Sequence, residues 1–244
     1  MPRIMLEICV DDAAGISAAA TGGADRIELC AALGLGGLTP SAGLIALAAE
    51  TALPTMVMIR PRAGDFVWSS AEMRAMRAEI AAVRAAGLAG VVIGASMPDG
   101  RLDAAALAEL VAQASGLDIT LHRAIDLVPD VAEAMRLCQS LGIKRVLSSG
   151  GAKSAELGLG RLVEMAKSGI SVMPGGGVNS ANLARFVEQL PLREIHASAS
   201  ALLPPPLDPQ ITNFGFQPSG ARSTDSAKVR ALRQALDHLG GLAR

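Results

Sequence analysis

The sequence predicts an α/β protein of the (β/α)8 TIM-barrel class. Short apolar runs alternate with alanine-rich segments of helical pattern along the chain of 244 residues. Runs such as AGVVIGA and ISVMPG are hydrophobic almost throughout, which is typical of parallel strands covered on both faces. Eight such units fit a TIM barrel, whereas a doubly wound open sheet seldom needs eight, and no GxGxxG follows the first run.

The order of these runs gives the expected elements. Strands are expected near 4–9, 25–30, 54–60, 89–94, 117–123, 143–148, 170–174 and 193–197. Helices are expected near 12–21, 42–51, 70–86, 103–115, 130–140, 154–167, 180–189 and 226–239. Asp and Ser residues stand at most of the expected helix starts, including Ser70, Ser154 and Ser180. Glycines stand where several helices should end, as at Gly87 and Gly116.

One connection differs from the others in length and composition. Residues 201–223 form a proline-rich stretch before the last helix, and long loops in compact domains are usually functional or disordered. Because this stretch holds Phe214 and Phe216, we expect a loop that packs onto another surface. No other break divides the chain, so a single domain over 1–244 is predicted.

Composition excludes several classes of function. The net charge of −1 gives no long-range attraction for nucleic acid or an anionic membrane, and the lack of Tyr leaves little for base stacking. No apolar stretch reaches the roughly 20 residues of a membrane span. Three cysteines without an export signal indicate thiols in a reducing compartment. We therefore expect a cytoplasmic protein with no nucleic-acid or membrane partner.

Ionisable residues are concentrated at the predicted strand ends, where TIM barrels carry their chemistry. These residues are Glu7, Cys9, Glu28, Cys30, Arg60, Arg62, His122, Arg123 and His196. Apolar helices cover the outside of the barrel, so we expect these side chains to converge on one polar pocket at its mouth. Alternatively, Glu7 and Glu28 pair with Arg60 and Arg62 simply to close the barrel.

Two glycine-rich loops late in the chain predict an anion site. SSGG at 148–151 and GGG at 175–177 allow backbone N–H groups to approach a phosphate. The candidate residues are Ser149, Gly150, Gly175, Gly176 and Gly177, together with Arg60, Arg62 and Arg123. The alternative is that these glycines serve tight turns alone.

Three hypotheses for the pocket remain open on the residues alone. In an enzyme, Glu7 or Glu28 serves as general base and His122 or His196 as general acid, acting on a small anionic or phosphorylated metabolite. In a sensor, the same pocket binds such a metabolite without turnover. In a metal-handling protein, thiols and imidazoles bind a soft ion such as Cu(I), although the cysteine spacing is not CxxC.

Several motifs resemble those of the CutC family, named for copper homeostasis. They are LEICVDD, GGADRIELCAALGLGGLTPS, MIRPRAGDF, PDGRLD, LHRAID, RVLSSGGA, MPGGGV and EIHASA, and together they span about residues 4–200. The resemblance implies a cytoplasmic TIM barrel that forms oligomers, with a dimer or tetramer expected. It also implies a role in copper homeostasis and Cu(I) binding through Cys9 and Cys30. It attaches no enzymatic reaction to the chain.

Overall fold

A computed structural model describes residues 3–242. The predicted domain spans 1–244, and its residues 1–2 and 243–244 lie outside the described residues. Eight strands form the main sheet: β1 (Met5–Val10), β2 (Arg26–Leu29), β3 (Thr55–Met58), β4 (Gly90–Ile93), β5 (Asp118–Leu121), β6 (Arg145–Ser148), β7 (Ser171–Pro174) and β8 (Glu194–Ala197). Seven helices alternate with them: α1 (Ala13–Gly22), α2 (Ala42–Ala49), α3 (Ser70–Ala85), α4 (Ala104–Gln113), α5 (Val131–Ser140), α6 (Leu159–Ala166) and α7 (Leu183–Gln189).

The strands pair in parallel in the order β7-β6-β5-β4-β3-β2-β1-β8. The two end strands, β7 and β8, also contact each other, so the sheet curls into a nearly closed ring with helices outside. This is the predicted (β/α)8 TIM barrel. Within residues 3–242, every helix falls short of the length and apolarity needed to cross a bilayer.

Most helices begin near the predicted residues because a side chain caps them. Asp12 accepts from the N–H of Gly15 at 2.5 Å, and Ser69, rather than Ser70, forms a capping box with Glu72. The prediction that a helix begins near Ser154 is wrong, because α6 starts only at Leu159. Residues before it form turns in which Gly158 packs so closely that a Cβ there would lie 1.9 Å from the Ser149 oxygen.

The long connection is more ordered than predicted. It contains β9 (Ser200–Leu202) and β10 (Arg222–Thr224), which pair antiparallel, and the short helix α8 (Gln210–Asn213), before α9 (Ser226–Leu242). Phe214 and Phe216 pack edge to face at 6.0 Å between ring centres, yet they are 69% and 79% exposed. Within residues 3–242 these two rings are therefore largely uncovered, and the expectation that the loop packs onto another surface stays a prediction.

Aliphatic side chains fill the layer between the sheet and the helices, but the inside of the barrel is charged. Arg26 contacts Glu7 and Glu194 at 2.5 Å each, and Arg145 contacts Glu194 at 2.6 Å and Asp118 at 2.8 Å. The five side chains form a row in which negative and positive groups alternate. We call this row the interior ion-pair row.

Candidate functional site

A cavity of about 270 Å³ opens at the carboxyl ends of the strands. Nine of the predicted site residues line it: Cys9, Glu28, Arg60, His122, Arg123, Gly175, Gly176, Gly177 and His196. The predicted residues that do not line it are Glu7, Cys30, Arg62, Ser149 and Gly150. The structure therefore brings together most of the expected set, from six different strand ends.

Glu7 lies at the base of this site rather than in its wall. Its Oε2 accepts from Arg26 Nε at 2.5 Å and its Oε1 lies 2.8 Å from Nδ1 of His196. Burial alone would raise the pKa of Glu7, but His196 and Arg26 lower it to about 2. Glu7 is therefore a fixed negative charge that orients its two neighbours.

His196 stands between two carboxylates. Its Nδ1 contacts Glu7, and its Nε2 lies 3.8 Å from Oε2 of Glu28. Burial opposes the charged ring, but the neighbouring Cys9, Glu28 and Glu7 outweigh it and raise the pKa of His196 well above its usual range. The imidazole is therefore fixed by Glu7 and presents Nε2 towards the cavity.

Glu28 is a buried carboxylate with an incomplete set of partners. Its Oε2 accepts from the Cys30 thiol at 3.5 Å, while its Oε1 has no hydrogen-bond partner among the described residues. Burial raises the pKa of Glu28, and burial together with Glu28 raises that of Cys30 well above the usual range of a thiol. Neither Glu28 nor Glu7 contacts Arg60 or Arg62 within residues 3–242, so the closing pairs considered from the sequence do not form.

Cys9, Glu28 and His196 offer three ligand atoms that all lie within 4.8 Å of one another, and we call them the metal-ligand cluster. Cys9 and Glu28 are directly paired in the parallel register of β1 and β2, so they lie at the same depth in the barrel. Cys30 is one layer further along and is not a member of the cluster. A thiolate and an imidazole are ligands that Cu(I) prefers.

His122 forms a second feature of the cavity. Its Nδ1 accepts from the N–H of Ala124 at 3.1 Å, so Nε2 carries the proton of the neutral ring, and Nε2 has no partner within the described part of the chain. Burial and the nearby Arg60 lower the pKa of His122 to about 3. His122 is therefore an uncharged donor at neutral pH.

Glycine and an aromatic ring make room for His122. A Cβ on Gly94 would lie 2.2 Å from Cε1 of His122, so only glycine leaves space for the imidazole. Phe66 covers the other side, with 4.7 Å between ring centres, and also lies 5.1 Å from the guanidinium carbon of Arg60. Phe66 lines the cavity but was not predicted to do so, because the motif MIRPRAGDF does not indicate where its side chain points.

Arg60 is a buried cation held by backbone carbonyls. Its Nη1 donates to Leu35 and Gly37 at 2.9 and 3.0 Å, and its Nη2 donates to Gly64 at 3.0 Å. A guanidinium has five N–H donors. Nε of Arg60 has no partner among residues 3–242, and no carboxylate pairs with this side chain there. Arg60 therefore brings uncompensated positive charge to the cavity.

Arg62 turns away from the cavity, contrary to the prediction. It contacts Glu72 and Asp65 at 2.5 and 2.8 Å and lies over the Trp68 ring at 5.0 Å. Only Pro61 separates Arg62 from Arg60 in sequence, but the two carboxylates that Arg62 contacts lie on the following loop and in the first turn of α3. Arg62 therefore stabilises the β3–α3 connection.

The SSGG loop after β6 is filled by a carboxylate of the protein itself. Asp126 accepts from the N–H groups of Ser149 and Gly151 at 3.1 and 3.0 Å, and from the Ser148 hydroxyl at 2.5 Å. Arg123 donates to Asp126 at 2.7 Å and to Ser149 at 2.7 Å. The expected anion position of this loop is thus occupied internally, and Ser149 serves the loop rather than the cavity.

Gly150 serves the packing of the same loop. Its N–H donates to the Ser148 hydroxyl at 2.8 Å, and a Cβ there would lie 2.1 Å from the Gly158 oxygen. The tight-turn alternative therefore describes Gly150 better than anion binding does.

The GGG loop after β7 has no such internal carboxylate within residues 3–242. Gly176 and Gly177 have φ angles of 98° and 76°, and no hydrogen bond from either N–H to another described residue is found. Gly175 is needed for space, since a Cβ there would lie 2.5 Å from Leu147 and 3.3 Å from His196. The loop therefore presents unpaired backbone donors at the cavity wall.

Sequence reasoning also missed Arg26 and Glu194, which fix the base of the site. Each stands two residues before a predicted site residue on its strand, Glu28 and His196 respectively. Because strand side chains alternate, the period of two places each pair on the same face. That signal was available in RIEL and EIHA.

Comparisons with known proteins agree with this architecture. The CutC family model matches residues 4–201. The chain is 52% identical over 240 residues to a family protein CutC of Rhizobium meliloti, covering 97% of this chain and 98% of the relative. It is 43% identical over 199 residues to the human copper homeostasis protein cutC homolog, covering 80% and 73% of the two chains.

A solved structure gives the same result for the fold. The crystal structure of a CutC protein from Streptococcus agalactiae superposes with a TM-score of 0.76 at 27% identity, covering 80% of this chain and 98% of the other. The family match spans all eight barrel strands and every residue of the metal-ligand cluster. The chain therefore belongs to the CutC family.

Proposed function

We propose that this protein acts in copper homeostasis by binding one Cu(I) ion at Cys9 and His196, with Glu28 beside them. The observation that carries the proposal is the grouping of these three ligand atoms within 4.8 Å at a cavity wall. Support also comes from the names of relatives, since the human one is called a copper homeostasis protein.

The surroundings of His196 suit a metal ligand. Metal-binding histidines usually donate their second ring N–H to a carboxylate, which fixes the ring and raises its basicity. Glu7 stands in that position at 2.8 Å, and Arg26 holds Glu7 in turn. Glu28 is a harder ligand than Cu(I) prefers, so the proposal assigns the bonds to the thiolate and the imidazole.

Anaerobic titration with Cu(I) against a chromogenic chelator tests this. We expect one strongly bound equivalent in the wild type, lost in Cys9→Ser and weakened at least about tenfold in His196→Gln. Cys138→Ser is the matched control, because Cys138 is a thiol of α5 that belongs neither to the cavity lining nor to the metal-ligand cluster. Unchanged affinity in Cys9→Ser would contradict the proposal. Cys30→Ser separates two candidate pairs of Cu(I) ligands. It should lower the Cu(I) affinity if Cys9 and Cys30 bind the ion, which stays a prediction, and leave the affinity unchanged if Cys9 and His196 bind it.

A second candidate function is supported by different residues of the same cavity. Arg60 and His122 each leave a buried N–H donor without a partner in the described chain, and Arg60 faces no carboxylate. Buried donors are costly unless a ligand completes them. We therefore propose, as the alternative, that the cavity binds a small anionic metabolite.

Crystals soaked in malonate, a small dicarboxylate, test the alternative. Density within hydrogen-bonding distance of His122 Nε2 or Arg60 Nε is the expected result. Malonate bound only on the outer surface, or nowhere, would count against an anion at this position. The copper titration is unaffected by this result, so the two candidates are judged separately.

Two further predictions concern the setting of the protein. Cys9, Cys30 and Cys138 are all free thiols, which suits a reducing cytoplasm. Assembly into a dimer or tetramer stays a prediction, and light scattering coupled to size-exclusion chromatography measures it directly.

A further inference from the structure

A second cavity of about 360 Å³ lies beside the barrel mouth. Its walls include the loop after β7, the start of β9, and two cations, Arg222 and Lys228. Gly177 and Ser198 line both this cavity and the first one. A ligand in the second cavity therefore lies next to the mouth of the barrel.

Arg222 and Lys228 converge on a single backbone oxygen. Arg222 Nη2 and Lys228 Nζ each donate to the carbonyl of Ser200 at 2.8 Å, and Arg222 Nε donates to its hydroxyl at 2.9 Å. No Asp or Glu of residues 3–242 forms an ion pair with either cation. Both side chains are exposed, and two cations held this close make a local positive charge that attracts an anion.

The loop after β7 supplies a neutral donor on the wall of the same cavity. The N–H group of Gly177 donates to none of the described residues, and its positive φ angle is one that other residues rarely adopt. Backbone N–H groups in such glycine-rich turns are common parts of anion sites. The contrast with the loop after β6 is informative, because there Asp126 already occupies the equivalent donors.

We propose that this second cavity is a phosphate subsite, formed by Arg222, Lys228 and the N–H group of Gly177. Arg and Lys together neutralise a phosphomonoester dianion, and the Gly177 N–H supplies a donor to one of its oxygens. The ligand is then a small phosphomonoester whose remaining atoms extend past Ser198 into the barrel mouth. That extension rests on the second candidate function above, whereas the phosphate subsite itself does not.

Calorimetric titration with inorganic phosphate, at constant ionic strength set by chloride, tests the subsite. We expect the wild type to bind phosphate and the double variant Arg222→Gln/Lys228→Gln to bind it at least about tenfold more weakly. The control is Arg74→Gln/Lys167→Gln, which removes the same charge from exposed positions on α3 and after α6. It should bind phosphate within about twofold of the wild type, because these cations are distant and screened.

The proposal is overturned if the wild type does not bind phosphate, or if both double variants bind it equally. If the Arg222→Gln/Lys228→Gln variant shows no thermal unfolding transition, it is not folded and cannot be used. Wild-type crystals soaked in phosphate then give the test, and phosphate density away from Arg222 and Lys228 overturns the proposal. Cu(I) affinity should be the same in both double variants, so failure of copper binding and failure of the phosphate subsite give separate results.

Phosphoglycolate, which carries a carboxylate as well as a phosphate, tests the extension. It should bind more tightly than inorganic phosphate, and His122→Gln should remove that gain while phosphate itself binds as before. A gain that survives in His122→Gln would show that the ligand does not reach His122, and the extension would be rejected.

Discussion

Nδ1 of His196 lies 2.8 Å from Oε1 of Glu7, a residue 189 positions earlier in the chain. The contact joins the first and last strands of the barrel, whose register pairs these two residues directly. Because Glu7 holds Nδ1, the other ring nitrogen is left for Glu28 and the cavity. The contact therefore ties the orientation of the site to the pairing of β1 with β8.

Replacing Glu7 by Gln should destabilise the protein by about 3 kcal/mol, because a buried ion pair loses one partner while Arg26 and His196 stay in place. Urea unfolding measures the change. The matched control is Glu50→Gln at the exposed end of α2, which should change stability by less than about 0.5 kcal/mol. Equal stability of the two variants would show that Glu7 does not hold the base of the site.

Acidification should destabilise the protein through His122. Its pKa is about 3 in the fold and near 6.5 in the unfolded chain, so between these values only the unfolded chain binds the proton. Stability should therefore fall as the pH drops from 6.5 towards 3, by up to about 1.4 kcal/mol per pH unit. Glu7, with a pKa of about 2, adds to the loss below pH 4.5.

His122→Gln should flatten this dependence, since the substituted side chain does not titrate. The comparison is urea unfolding at a series of pH values for the wild type, His122→Gln and the control His238→Gln, whose imidazole is exposed on α9. Parallel curves for the wild type and His122→Gln between pH 6 and pH 5 would contradict the buried neutral state of this ring.

Cu(I) affinity should rise with pH over the neutral range. The pKa of His196 is raised by its neighbours, and the ring must lose its proton to act as a ligand. Chelator competition at several pH values measures the dependence. His196→Gln should give a shallower slope, and an identical slope would remove His196 from the ligand set.

Gly94→Ala should cost about 1–3 kcal/mol, because the new methyl group overlaps the His122 ring. The control is Gly160→Ala in α6, where a Cβ meets nothing within 4 Å. That substitution should stabilise the protein by about 0.5–1 kcal/mol, since alanine suits a helix better than glycine. Thermal unfolding of both variants decides the prediction, and similar effects of the same sign would refute it.

Asp126→Asn should destabilise the protein by about 2 kcal/mol, because the N–H groups and hydroxyls of the loop after β6 lose a charged acceptor. Asp99→Asn, in an exposed pair with Arg101, serves as the control and should have little effect. Hydrogen exchange adds a local measurement: the amides of Ser149 and Gly151 should exchange faster in Asp126→Asn only.

The barrel could be predicted because most of its strands are short apolar runs that alternate with helical segments, a pattern that a sequence displays directly. The strand ends could be predicted for the same reason, since Glu28 and His122 interrupt such runs. The direction of a side chain on a loop could not be predicted. Arg62 was therefore expected in the cavity, whereas its ion pairs with Glu72 and Asp65 hold it on the outside.

Contacts between distant loops were equally hidden. Asp126 stands 23 residues before Ser149, and nothing in LHRAID or RVLSSGGA indicates that its carboxylate enters the second loop. Likewise, Arg222 and Lys228 meet at Ser200 only because β9 and β10 pair. Strands of only three residues, separated by a proline-rich connection, do not give a pattern that sequence analysis recognises.

The interior ion-pair row has a consequence for how this protein can be redesigned. Each member forms an ion pair with the next one in space, from Glu7 at the site to Asp118 near the opposite end of the barrel. Removing any single member leaves the neighbour that it contacts without an opposite charge in a confined space, so substitutions there must be made in compensating sets. A copy of the cavity transferred to another TIM barrel would therefore need the whole interior ion-pair row beneath it as well.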